Sequence, residues 1–269
     1  MWRPLALILL ITLVVAPVRA QEPTPTATDE APVILSTVTG TPITAAEFQT
    51  RYLLEGHLLL QQLTAFAQSY VTQDDPGSTP VREVLNLAYP AQAAALRDPA
   101  RLGETVLNSM EADILLRQRA DDMGLSVMDE QVDVLVVYQV ALTDGFVLGD
   151  DATLSDEETA AFAAAVEAFY EAAAAFANTD RATVRELFRG RALRRMFFDQ
   201  VTANVDITGL TQIEANARQN AVFQQWALDL REAAAITRSD DWQTHIPTQP
   251  DFAARLEDAL TRITPDTAR

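Results

Sequence analysis

Thr44-Ala45-Ala46-Glu47 is a helix-opening signal, and helical periodicity then runs unbroken as far as Asp74-Asp75-Pro76-Gly77. A threonine at the cap, with a glutamate three places on, satisfies two free amide N–H groups reciprocally. The helix so opened covers residues 45–72. Tyr52, Leu59 and Phe66 lie along one line at seven-residue spacing, with Leu63 and Tyr70 on the next. Such a stripe has to be covered, because a helix gains most of its stability in water from packing its apolar face. That requirement points to a mainly α fold built of several packed helices.

The rest of the chain supplies those partners. A β-branched run, Val33-Ile34-Leu35-Ser36-Thr37-Val38, meets the turn Thr39-Gly40-Thr41-Pro42 and predicts one short hairpin ahead of the first helix. A short helix spans residues 81–88 and breaks at Tyr89-Pro90. Asp98-Pro99 reads as an N-cap with proline at the first helical position, and Gly124 as the left-handed close of the helix it opens. A helix from Asp129 is apolar on nearly every central turn (Val132, Val134, Leu135, Val136, Val137), so by composition alone it reads equally as a buried strand. Acids at its start favour the helix. Ser155-Asp156-Glu157-Glu158 opens an alanine-rich helix, Asp180 caps another to about residue 204, and residues 210–235 form the last long helix. Residues 236–247 read as irregular and residues 248–269 as a weakly amphipathic tail.

Residues 1–20 have the form of a secretory signal: Arg3, an apolar run from Leu5, and Val18-Arg19-Ala20 as a cleavage site. A retained membrane anchor is the alternative, although Pro17 breaks the run and it is short for a full span. Residues 21–32, QEPTPTATDEAP, are a Pro/Thr-rich spacer. The expectation is an exported protein, periplasmic or extracellular and cell-surface, with transient membrane association only through an uncleaved signal. With no cysteine, packing replaces a disulfide framework. A net charge of −18 argues against nucleic acid and anionic membrane surfaces. All cationic side chains are arginine, and the absence of lysine removes Schiff-base and lysine-base chemistry.

Three segments in order resemble the N-terminal domain of SurA/PrsA/PpiD-type extracytoplasmic chaperones. Val38-Thr39-Gly40-Thr41-Pro42-Ile43-Thr44 is similar to the family opening V-N-G-x-x-I-T. Val106 to Leu116 is similar to the family helix with its leucine–isoleucine–acid pattern. Gly124-Leu125-Ser126-Val127-Met128-Asp129-Glu130-Gln131-Val132-Asp133 resembles the junction G-(I/L)-x-V-S-D-E-x-(V/I)-D. Thr39 stands where the family has asparagine in the turn, and Met128 where it has a capping serine, leaving Ser126 or Asp129 as replacement caps. Phe223-Gln224-Gln225-Trp226 and Trp242 resemble the family's returning C-terminal segment. The resemblance implies a SurA-N-like helical chaperone domain over residues 33–247, completed by the helix at 210–235. Family members usually insert a parvulin isomerase domain before that helix. Only a few residues separate Asp206 from it here, and no Gly-rich parvulin loop is present.

Bond-making constellations are sparse. His57, beside Glu55 and Gly56, reads as a general base or pH switch, or as a partly exposed helix residue; His245 reads as a loop residue. No nucleophile motif accompanies either, so no catalytic residue is expected. Asp150-Asp151 with Asp156-Glu157-Glu158 offer oxygen ligands without the spacing of a calcium loop, so neither metal nor cofactor is expected. Arg181, Arg185 and Arg189 fall on one helix face, with Arg191, Arg194 and Arg195 behind them. They read as an anion patch or as partners for nearby acids such as Glu186.

Met196-Phe197-Phe198 is a run that one helix face cannot bury, so at least one member must meet a groove, a neighbouring segment or a partner. With Phe223 and Trp226 it forms the candidate client-binding set. The expected function is ATP-independent capture of unfolded or nascent exported proteins in an apolar cleft, without isomerase activity. An envelope adaptor binding one folded partner is the alternative, and a residual peptidyl-prolyl isomerase comes last.

Overall fold

A computed structural model describes residues 31–72, 79–144 and 155–264. The signal-like segment, most of the spacer, and Asp150-Asp151 lie outside these residues.

The hairpin forms as β1 (Ile34–Val38) and β2 (Thr41–Thr44), paired antiparallel around the two-residue turn Thr39-Gly40. Both turn residues have positive φ, +46° and +87°, the backbone that a tight hairpin needs and that a β-branched residue adopts only under strain. Thr39 is held there by three contacts. Its N–H donates to the Ala235 carbonyl at 2.8 Å, and its hydroxyl lies 2.8 Å from the Val38 carbonyl and 2.6 Å from Gln118 Oε1.

Nine α-helices follow among the described residues: α1 (Ala45–Val71), α2 (Val81–Ala88), α3 (Pro90–Arg97), α4 (Pro99–Met123), α5 (Asp129–Asp144), α6 (Asp156–Phe176), α7 (Arg181–Thr202), α8 (Gln212–Glu232) and α9 (Phe252–Ile263). Their starts follow the capping chemistry of the sequence. Thr44/Glu47 and Ser155/Glu158 close capping boxes, Asp98 and Asp180 cap α4 and α7, and Gly124 ends α4 at φ +64°. A third box, Thr211/Glu214, opens α8. At α5 neither Ser126 nor Asp129 is seen to cap. The Gln131 side chain instead reaches back to accept from the Met128 N–H at 2.8 Å, so only the reverse half of a capping box forms.

The break at Tyr89-Pro90 falls where expected, with α2 ending at Ala88, and a further helix, α3, begins at Pro90, since proline is compatible with the first helical turn. Two expectations need correction. The segment after α8 is not wholly irregular: β3 (Ile236–Arg238) adds to the free edge of β1, giving a three-stranded antiparallel sheet of order β2-β1-β3, and a 3₁₀ turn follows at Trp242–His245. Residues 252–263 are no peripheral tail. Phe252, Leu256 and Leu260 point one face of α9 into the main core, against α1 and α3.

The core has three parts. The sheet, α1 to α4 and α9 enclose the largest, around Phe48, Tyr52, Leu63 and Leu107. α1, α5, α6 and α7 enclose a second, around Leu58, Val136, Phe169 and Phe188. A small third part joins α4 and α7 to α8 through Leu116, Leu193 and Phe197. By length and apolar content α6 is able to cross a membrane, yet Phe169, Tyr170 and Ala173 pack it into the second core.

Candidate functional site

α4 carries two acids on the face it buries. Glu111 falls four residues after Leu107 and three before Ile114, inside the apolar stripe, and its side chain is 0% exposed. A carboxylate removed from water needs charged partners. Glu111 receives Arg231 at 2.5 Å from α8, Arg238 at 2.5–2.6 Å from β3, and the Ser36 hydroxyl at 2.7 Å from β1. Burial pushes its carboxyl up, but the bonds from Arg238, Ser36 and Arg231 outweigh burial and hold it below the ordinary carboxylate range.

Asp113, also buried, takes Arg51 at 2.9 Å from α1 and Arg194 at 3.2 Å from α7. Arg51 continues to Glu55 at 3.0 Å, which also accepts Arg191 at 2.8 Å. Burial pushes Glu55 up, yet Arg191 and Arg51 overcome it and hold its pKa at about 2. Gly190 lets α7 come this close, since a Cβ there would lie 2.8 Å from Asp113 Oδ2. Arg191 and Arg194 belong to the arginine set that the sequence singles out, and here they pair with acids; Glu111, Asp113 and Arg51 were not candidates from the sequence. The available signal was an acid standing in the apolar register of a long helix.

Two clefts open on either side of the Arg51–Asp113 pair, which lines both. The larger, about 1040 Å³, lies among α1, α3, α4, α5, α7 and α8. Its walls include Leu59, Leu102, Val106, Phe223, Leu228 and Leu230, and Leu228 on α8 is 52% exposed. The smaller, about 800 Å³, runs beneath the hairpin between α1, α4 and α7.

The client-contact candidates largely meet one another. Phe197 is 1% exposed and stacks on Trp226 at 5.3 Å between ring centres. Phe198 meets Phe223 edge-on at 5.4 Å, and Met196 packs in the same cluster. The neighbouring segment that the run required is therefore α8, and Phe197 is a core residue with no surface to offer a client. Of the five, Phe223 alone lines the larger cleft.

The other candidates disperse. Arg181 pairs with Glu167, Arg185 with Asp133 at 2.6 Å, and Arg189 with Asp129 at 2.7 Å and with Glu186, so these three are consumed by ion pairs. Arg195 pairs with Asp199 at 3.1 Å. Glu158 is engaged in its capping box, and no group of acids or histidines able to hold a metal ion occurs among the described residues. His57 stacks on Phe176 at 4.2 Å with its Nε2 buried and unpartnered. Burial, and then the charge of Arg255, lower its pKa to about 4, so it is neutral near pH 7. His245 lies in the 3₁₀ turn, where its carbonyl accepts from Gln49 Nε2 at 3.2 Å. The chain matches no protein-family model, no curated protein and no solved structure.

Proposed function

We propose that this protein is an exported, ATP-independent chaperone of the SurA type that holds unfolded polypeptide segments in the larger cleft without isomerase activity. One observation carries the reading. The cleft is large, its walls interleave aliphatic side chains with polar and cationic ones, and one wall is α8, a helix whose sole buried residue is Ala215. Unfolded clients present apolar side chains in no fixed shape, and a wall that can shift accommodates them better than a rigid pocket. The acidic exterior keeps such a molecule dispersed while part of its apolar surface stays open.

Suppression of aggregation tests this directly. The purified chain, at a few-fold molar excess over chemically unfolded clients, is expected to reduce light scattering with several unrelated clients and without nucleotide. No protection of any of them overturns the reading.

The adaptor reading draws on a different surface. Val134 and Tyr138 on α5 are 65% and 59% exposed and, with Leu142, form a stripe at four-residue spacing that nothing among the described residues covers. Stoichiometric capture of one folded partner, abolished by Tyr138→Asp while aggregation suppression persists, would assign that stripe a separate role.

A further inference from the structure

The larger cleft reverses the charge of the molecule around it. The chain carries 38 acidic against 20 basic side chains, yet Arg51, Arg101, Arg191, Arg194 and Arg231 line the cleft against Glu55 and Asp113, with the buried Glu111 neutralising Arg231 from behind. Arg101 makes no ion pair among the described residues. Gln139 of α5 reaches the same cleft, is 9% exposed, and keeps its buried Nε2 without a hydrogen-bond partner. A surplus of guanidinium groups and a buried donor facing an apolar wall call for acceptors from outside.

The cations are also spaced. Arg101 stands near the start of α4, while Arg51 and Arg194 meet Asp113 farther along the same helix, with Leu102 and Val106 between. From Arg101 to Asp113 is about 18 Å at the helical rise of ~1.5 Å per residue. An extended chain covers that distance in about six residues.

We infer that the cleft takes an extended polypeptide segment of about six residues, apolar in the middle and carrying an Asp or Glu side chain at its ends. One acid would meet Arg101 and the other Arg191 and Arg194, with Gln139 donating to a backbone carbonyl of the segment. Cationic groups at both ends favour flanking side chains over a chain terminus, which supplies a single carboxylate. This rests on the cleft being the client site, and it adds the class of segment selected there.

The test uses six-residue peptides with Leu and Phe in the centre, acetylated and amidated so that no terminal charge remains, flanked by Glu in one and Gln in the other. Fluorescence anisotropy with the full chain is expected to give about tenfold tighter binding of the Glu peptide at low salt, the scale of one charge-assisted bond. The preference should shrink in 0.5 M salt. Arg101→Gln, whose guanidinium has no ion-pair partner among the described residues, and Arg194→Gln, which leaves Asp113 paired to Arg51, should each cut it severalfold while weakening the Gln peptide far less than the Glu peptide. Equal affinity for both peptides overturns the inference and leaves the chaperone reading standing, as does a preference that survives both substitutions. Binding of neither peptide overturns both.

Discussion

Glu111 has no exposed side-chain surface and still carries a full charge, because two arginines and a serine from three other elements converge on it. Removing one partner from such a group costs more than the net worth of the pairs, since the others stay behind uncompensated. Glu111→Gln is therefore expected to lower unfolding stability by about 2–4 kcal/mol in urea titration, with Arg231 and Arg238 being partly exposed and able to recover some hydration. His57 makes a prediction of opposite chemistry. Its folded pKa of about 4 lies below the ordinary 6.5, so the unfolded chain takes up the proton first as pH falls. Stability should drop between pH 6.5 and pH 4 and then level off, by about 1–2 kcal/mol once screening at the half-buried ring is allowed for. His57→Phe should flatten that slope. Glu55 acts in a separate window: its lowered pKa gives stability that is full above pH 4.5 and is lost as pH falls towards 2. A slope between 6.5 and 4 that persists in His57→Phe would refute the assignment.

At the scale of elements, glycines set where helices touch. A Cβ on Gly56 of α1 would lie 2.4 Å from the Phe252 ring of α9, and one on Gly103 of α4 would lie 2.9 Å from Ile246. Gly56→Ala should gain about 1 kcal/mol of helix propensity and lose more by lifting α9, for a net destabilisation of about 1–3 kcal/mol by thermal or urea unfolding. Adding Phe252→Leu should recover part of that loss, which independent sites would not do. The sequence made helix starts legible because caps are local: Thr44, Asp98, Ser155 and Asp180 each lie within four residues of the amide they satisfy. α5 was ambiguous because Val134 and Tyr138 are exposed, which erases the contrast between its two faces. β3 was hidden because three residues are too few for an alternating pattern, and its partner β1 lies some 200 positions earlier in the chain. α9 shows its stripe plainly, but the slot that receives Phe252 is an absent side chain on α1. The cleft was hardest of all to foresee. Its charge reversal comes from arginines on α1, α4, α7 and α8 that no spacing within one helix brings together.

For the whole molecule, the return of the chain decides which parts are fixed. After α8 the backbone joins β1 through β3, seats Ile246 and Trp242 over Gly103, and lays α9 on α1. α8 itself hangs between this clamp and the loop after α7. Near its C-terminal end Trp226, Leu230 and Arg231 hold it to α7 and α4, whereas its first two turns bury only Ala215. Local opening follows such differences in buried contact. In hydrogen exchange, amides of α4 and α9 should therefore be protected close to the global stability, while residues 212–220 exchange orders of magnitude faster. Trp226→Ala should spread the fast exchange along α8, since its ring bridges Phe197 and Phe223. On the proposed function, a client segment in the cleft would contact α8 at Phe223 and Leu228, which line it, and should slow exchange there first, before any change in α4. If α8 instead exchanges as slowly as α4 throughout, the cleft has a fixed wall. A fixed wall selects one shape, and capture of many unrelated clients would then have no physical basis in this fold.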